Sequence, residues 1–278
     1  MKINEQFTDA FLKPYYSGEK LYGDDFDEAQ ITAWFEYEKE AYADLGSKDK
    51  SNYVYGYHAF NVLNGFKHLP KNVKFKNVMG FGAAYGYEIE PIKDQIENLV
   101  IIDPSDAFEQ TEICGVPVTY VRPNVDGTIA FADGSFDMIL CFGTLHHIPN
   151  VSKIIAEFGR CLRPNGFILL REPIITMGDW RKKRPGLTLK ERGIPIGVFR
   201  KIISDAKLIV VKETICFSPI AYRLGKFFGI KMYSLPLGAL FDKWVSWLFI
   251  WNVRYHRTKK FHTLAPTNAF YVLSKTDK

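Results

Sequence analysis

Hydrophobic positions along this chain recur with two different periods, and the change from one to the other marks its elements. From Asp27 to Leu45 the apolar residues Ile31, Trp34, Phe35, Ala41, Tyr42 and Leu45 return every three or four positions, which predicts an amphipathic helix. A second helix is expected from about Asn52 to Phe66, with Tyr53, Tyr57, Phe60 and Leu63 on one face and Pro70 closing it. Residues 1–26 show no clear period. From residue 73 short continuous apolar runs take over. The stretch VKFKNVMGFGAAYGYE (73–88) predicts a strand, a glycine turn and the start of a helix, and further strands are expected at 97–103, 116–121, 136–142 and 167–173. A helix over 151–162 turns Ile154, Ile155, Phe158 and Leu162 inward, and the turn RPNG follows it. A helix near 195–205, a strand at 207–217 and a last strand at 268–275 complete the pattern. Continuous apolar strands separated by helices imply a parallel sheet covered on both faces, so the fold class is a doubly wound α/β sheet.

The chain divides accordingly into an N-terminal helical cap (1–70), a core (71–217 and 267–278) and an insertion rich in aromatics (218–266). With 278 residues, 47% hydrophobic and 24% charged, the length suits one elaborated domain. A net charge of +5 is mild, and the basic residues between 174 and 194 form one short loop without an extended stripe, which argues against a nucleic-acid partner. The four cysteines are widely spaced with no CxxC, so neither a zinc site nor a disulfide framework is indicated and no metal is expected. The N-terminal stretch lacks an apolar signal-like core and no run of about 18 apolar residues occurs, so a cytoplasmic location is expected.

Candidate chemistry starts at the glycine turn. Gly80 and Gly82 can take positive φ and let the backbone pass close to a ligand, although a turn that merely joins a strand to a helix has the same composition. Asp103, at the end of the second strand, stands where an acidic side chain can take both hydroxyls of a ribose; its other reading is a helix cap.

The block DGTIAFADGSFDMILCFGTLHHIPNVSKIIAEFGRCLRPNGFILLREP (126–173), with GFG and IIDPS before it, resembles the class I S-adenosylmethionine-dependent methyltransferases. The resemblance covers roughly 73–173 and the terminal strand pair, and implies a Rossmann-like sheet, mostly parallel, with the last strand antiparallel. It implies a cofactor pose as well. Gly80, Gly82 and Ala84 would lie under the methionine and ribose of S-adenosylmethionine, and Asp103 would hold the ribose. Pro104 or Ser105 would border the adenine, with Asp126 and Gly127 by its amino group. Phe142, Gly143 and Leu145 would line the methionine end. Two positions depart from the family pattern. Val78 stands where an acidic residue is usual, and Ala84 replaces the third glycine unless Gly86 serves. That leaves open weaker binding, a substitute acid such as Glu88, or a non-catalytic scaffold. A nicotinamide dinucleotide fits less well, since its pyrophosphate wants three glycines where this chain has Ala84 and Tyr85.

For the transfer itself, His146, His147 and Glu172 are the candidate catalytic groups, His being suited to accept a hydroxyl proton near pH 7. A His that only bonds its own loop, and a Glu172 that caps or pairs with Arg171, are the other readings. Tyr85 is expected to cover the cofactor or to be core. Arg181 and Arg184 are candidates for an anionic substrate group or for a solvated loop. Residues 234–257, with Trp244, Trp247 and Trp251 ahead of Arg254 and Arg257, form either a helix closing the substrate pocket or a membrane-surface contact. The tail is similar to methyltransferases of bacterial surface-polysaccharide clusters. The expected function is methyl transfer to a small acceptor, a hydroxyl of a sugar or another anionic molecule, with 218–266 as a lid.

Overall fold

The computed structural model describes residues 7–46 and 53–276. In chain order its elements are α1 (Asp9–Tyr16), α2 (Glu28–Gly46), α3 (His58–Asn64), β1 (Phe75–Phe81), β2 (Ile96–Ile102), β3 (Glu112–Ile113), β4 (Val116–Val121), β5 (Phe136–Phe142), α4 (Val151–Cys161), β6 (Leu162–Pro173), α5 (Ile196–Asp205), β7 (Leu208–Cys216), α6 (Pro219–Phe227), α7 (Pro236–Phe249) and β8 (Asn268–Lys275). The strands form one sheet in the order β3-β4-β2-β1-β5-β6-β8-β7. β1 pairs in parallel with β2 and β5, β2 with β4, and β5 with β6. β8 runs antiparallel between β6 and β7, and the two-residue β3 turns back on β4.

Successive side chains in a strand point to opposite faces, so each apolar strand feeds two cores. On one face Met79, Ile139 and Leu170 pack against Ile155 and Phe158 of α4 and Phe199 of α5. On the other, Val78, Ile101, Leu140 and Leu169 meet Phe60 of α3 and Ala239 of α7. Helix α3 therefore belongs to the sheet's second layer, whereas α1 and the start of α2 share a separate cluster of Leu12, Tyr15, Tyr22 and Trp34 with Trp180 of the loop after β6. Strand order reverses between β1 and β5, which opens a crevice beyond their carboxyl ends.

The structure departs from the sequence pattern, or leaves it untested, in five places. The second helix begins at His58; Asn52 lies outside the described residues, and 53–57, with three tyrosines, a valine and a glycine, is poor helix material. Of the predicted apolar face of α2, Trp34 is buried, while the side chains of Ala41, Tyr42 and Leu45 lie outside those described. The helix expected after the glycine turn is a 3-10 run, Tyr87–Gln95, interrupted by Pro91, which has no N–H to donate. The turn RPNG is taken up within β6 as an irregularity, with Asn165 at φ +58°. Finally, α1 forms where no period was evident, its first turn capped by Thr8, which accepts the Phe11 N–H at 3.2 Å.

The insertion is anchored from within by Asp242. Its carboxylate accepts the backbone N–H of Ser218 at 2.7 Å and of Phe217 at 3.1 Å, and the Tyr233 hydroxyl at 3.3 Å. Burial pushes its carboxyl up to about 6, against the pull of those donors. Asp242→Ala leaves three buried donors unmatched and is expected to cost about 2–4 kcal/mol in urea unfolding. Asp242→Asn, which keeps an acceptor, should cost less than half as much.

Candidate active site

The crevice holds a cavity of about 160 Å³ with an open mouth. Its floor is Gly82 and Ala84 after β1, and Asp103 and Pro104 after β2. One wall is the loop 123–127, another is Thr144 with His147 to Asn150, and Ile31, Trp34, Phe35 and Glu38 of α2 form the roof. No residue of 218–266 lines it.

Alternate residues of the turn after β1 take the left-handed backbone, while Gly80 does not. Gly82 sits at φ +63°, and a Cβ there would meet Thr144 Cγ2 at 2.2 Å. Ala84 adopts φ +49° and Gly86 φ +67°, so the alanine keeps the left-handed backbone of the missing glycine, at a cost of about 1 kcal/mol. Asp103 helps to hold it there: its Oδ2 accepts the Ala84 N–H at 3.1 Å and its Oδ1 the Ser105 N–H at 3.0 Å. Each oxygen keeps a further lone pair, and burial raises the carboxyl's pKa against these two amides and Arg122. The short helical turn after β2 is capped by Ser105 rather than Asp103.

Val78 is buried in the sheet, but an acid does reach the first glycine from elsewhere. Glu88, itself buried, brings Oε1 to 3.8 Å from where a Gly80 Cβ would lie. Burial pushes its carboxyl up to about 7, opposed by a backbone hydrogen bond and by Arg171. Gly80, Phe142, Gly143 and Leu145 do not line the cavity, and Asp126 accepts the Thr128 N–H and hydroxyl while its neighbour Gly127 faces in. Tyr85 is buried beside Phe108 and Tyr53, inside the turn rather than over the cavity.

The loop after β5 is clamped from both sides. Glu172, fully buried, accepts the N–H of Thr144 and of Leu145 at 2.8 Å on Oε1, and that of His146 at 3.3 Å on Oε2, which also lies 2.8 Å from His146 Nδ1. Desolvation acts to raise its pKa, but the His146 hydrogen bond and charge and the loop amides outweigh it, and the carboxyl is held below the usual range. Arg192, fully buried as well, donates to the carbonyls of Leu145, His146, Ile148 and Pro149. The Trp34 indole N–H donates to the His147 carbonyl at 2.6 Å. Glu172, expected among the catalytic groups, is thus a positioning residue, and its strand neighbour Arg171 points to the other face, so the two do not pair.

His147 is the expected catalytic group that lines the cavity. Its Nδ1 lies 2.9 Å from Glu38 Oε2 and 3.6 Å from Glu191 Oε1. Burial lowers its pKa, helped by His146 and opposed by Glu38 and Glu191, so the ring is neutral at pH 7. His146, His147 and Glu191 also place possible metal-ligand atoms within 4.8 Å of one another, a grouping the sequence spacing did not suggest.

The two candidate substrate arginines are spent on structure. Arg184 is buried and donates to the carbonyls of Glu191 at 2.6 Å, Thr188 at 2.8 Å and Leu189 at 3.0 Å, while Arg181 pairs on the surface with Asp179 and Asp9. Arg171 does not line the cavity either. Arg171 is 7% exposed, donates to Asn61 Oδ1 at 3.0 Å and lies 4.5 Å from the Tyr57 ring, with Phe142 and Phe217 beside it; it forms no ion pair among the described residues, although its charge acts on Glu88. Nothing in the sequence distinguishes it from a surface arginine at a strand end.

The order of the sheet, and Asp103 beside a left-handed turn at its switch point, are those of a Rossmann-like methyltransferase fold, and comparison with known proteins agrees. Residues 79–170 match the family model for a methyltransferase domain. Over 54 residues the chain is 30% identical to the ubiquinone biosynthesis O-methyltransferase of Proteus mirabilis (strain HI4320), a match covering 19% of this chain and 22% of that protein. The chain thus matches about a fifth of that relative's length. Among solved structures, a Mesorhizobium loti S-adenosylmethionine-dependent methyltransferase aligns with TM-score 0.50 and 13% identity over 76% of this chain and 95% of its own. The Haemonchus contortus phosphoethanolamine N-methyltransferase 2, solved with phosphomonomethylethanolamine and S-adenosylhomocysteine, aligns with TM-score 0.51 and 14% identity over 78% of this chain and 52% of its own.

Because the folded pKa of Glu172 lies below that of an unfolded glutamate, its stabilisation is present above about pH 4.3 and lost as pH falls through the folded value. Glu172→Gln is therefore expected to lose about 3 kcal/mol in urea unfolding at pH 7. That deficit should narrow as the pH is lowered below about 4.

Proposed function

We propose that the protein is an S-adenosylmethionine-dependent methyltransferase that methylates a hydroxyl of a small anionic acceptor, such as an acidic or phosphorylated sugar. The observation that carries this reading is Asp103: a buried carboxylate with free lone pairs, on the floor of a cavity whose walls are mostly apolar. Asp103 would take the ribose hydroxyls, Pro104, Phe108 and Val125 would flank the adenine, and Gly82 and Thr144 would border the methionine end. Among the lining residues Lys39 is the one lysine or arginine, which suits an adenosyl group without phosphates better than a pyrophosphate-bearing dinucleotide.

S-adenosylmethionine, when bound, supplies a methyl group on a sulfonium. The chain's own work is alignment, exclusion of water and removal of a proton. The roof of Trp34 and Phe35 shields the cavity. His147, neutral at pH 7 and oriented by Glu38, is the group suited to accept the acceptor's hydroxyl proton. The Proteus relative is named as an O-methyltransferase, which agrees with an oxygen acceptor. The non-catalytic alternative rested on Val78 and Ala84, and it loses ground because Ala84 keeps the glycine backbone and Glu88 supplies an acid beside Gly80.

The test is release of S-adenosylhomocysteine from S-adenosylmethionine in the presence of a panel of acidic and phosphorylated sugars. With a competent acceptor, kcat/KM should fall on the acid side with an apparent pKa below 6.5, since protonated His147 cannot act as a base. His147→Asn should lower kcat about 100-fold or more with cofactor affinity nearly unchanged. Turnover by His147→Asn equal to the parent would remove His147 from the reaction.

A further inference from the structure

Helix α7 is built inside out. Its buried positions are Gly238, Ala239, Asp242, Val245 and Ser246. Its large apolar residues face outward instead: Leu237 is 81% exposed, Trp244 and Trp247 68% each, and Trp251, just beyond the helix, 62%. Phe227 at the end of α6 adds a ring that is 81% exposed. The orientation is enforced, not loose. A Cβ on Gly238 would lie 2.0 Å from the Met232 carbonyl oxygen, and Asp242 ties the inner face to the start of α6. Single exposed apolar residues are ordinary, but a contiguous stripe of tryptophan and leucine on a well-packed helix marks a surface that is covered in use.

Charge decides what covers it. Between 218 and 266 the chain has eight lysines and arginines and one acid, Asp242, which is buried. Arg223, Lys226, Lys231, Arg254 and Lys259 are all exposed around the stripe. Lys67 and Lys212 join Lys243 beside it, close enough that the last two help to lower the Lys67 pKa after desolvation. A second copy of the chain laid on this face would bring like charges together, whereas an anionic lipid surface meets both the cations and the rings. The helix, at 14 residues and about 21 Å, is too short to cross a hydrocarbon core of about 30 Å, and no helix among the described residues is long and apolar enough to do so. It is suited to lie in the plane of the headgroups, where tryptophan is favoured.

We propose that the outward face of α6 and α7 docks the protein on an anionic lipid bilayer, with Trp244, Trp247 and Trp251 in the interfacial layer and the surrounding lysines and arginines against the headgroups. This surface is separate from the cavity and stands whether or not the methyltransferase reading does.

The experiment is flotation of the full chain with vesicles of phosphatidylcholine alone or mixed with phosphatidylglycerol, followed by tryptophan emission. Three of the five tryptophans lie on this face, while Trp34 and Trp180 are buried, so docking is expected to shift the emission to the blue. Binding should require phosphatidylglycerol and weaken as salt rises. Trp244→Glu with Trp247→Glu should lower the partition coefficient at least about tenfold, with an unchanged thermal transition because both side chains point away from the fold. Absence of flotation by the parent protein overturns the proposal, as does equal flotation by the double variant. A dimer in sedimentation velocity that the double variant turns into a monomer, without vesicle binding, would assign the face to a second copy instead.

Discussion

The site depends on how the loop after β5 is held. Six residues, 144–149, carry His146 and His147 and one wall of the cavity, and as a connection between a strand and a helix they bring their own unpaired backbone groups. Glu172 takes the amides of this loop and Arg192 its carbonyls, one from the end of β6 and the other from the loop that follows. Both are fully buried, so each charge is stabilised by the peptide dipoles it meets, and the loop in turn is fixed by two charges that have no better partner. Removing either leaves a buried charge or a set of orphaned backbone groups, which is why neither is free for chemistry.

With the loop fixed, the catalytic assignments separate by exposure to the cavity. His146 is bound to Glu172, while His147 lines the cavity and leans on Glu38 of α2. Helix α2 therefore does two things at once. It roofs the cavity with Trp34 and Phe35 and orients the imidazole with the next turn's carboxylate. The departures from the family's glycine motif are absorbed locally, since Ala84 accepts a left-handed backbone beside Asp103 and Glu88 returns an acid to the neighbourhood of Gly80.

The sheet was legible from sequence because buried parallel strands are continuous apolar runs, and β4, β5 and β8 begin and end where those runs do. Asp103 was legible too, since its place at a strand end follows from topology. What escaped was anything set by partners distant in the chain. Glu172 is 26 residues from His146, Arg192 is 47 from Leu145, and Glu38 is 109 from His147, so no local spacing links them. Arg184 and Arg181 looked like a basic loop because charge is visible in sequence and the carbonyls or carboxylates that satisfy it are not. The stripe of α7 was visible as a pattern, but an apolar stripe at helical spacing ordinarily faces inward, and only the packing of Gly238 and Asp242 fixes it outward.

The central claim is that the cavity beside Asp103 holds S-adenosylmethionine, and calorimetric titration with S-adenosylmethionine and S-adenosylhomocysteine tests it most directly. The account predicts micromolar binding of both, weakened about tenfold or more by Asp103→Ala through loss of charge-assisted hydrogen bonds to the ribose. No heat of binding from the folded protein, or equal affinity in Asp103→Ala, would contradict it.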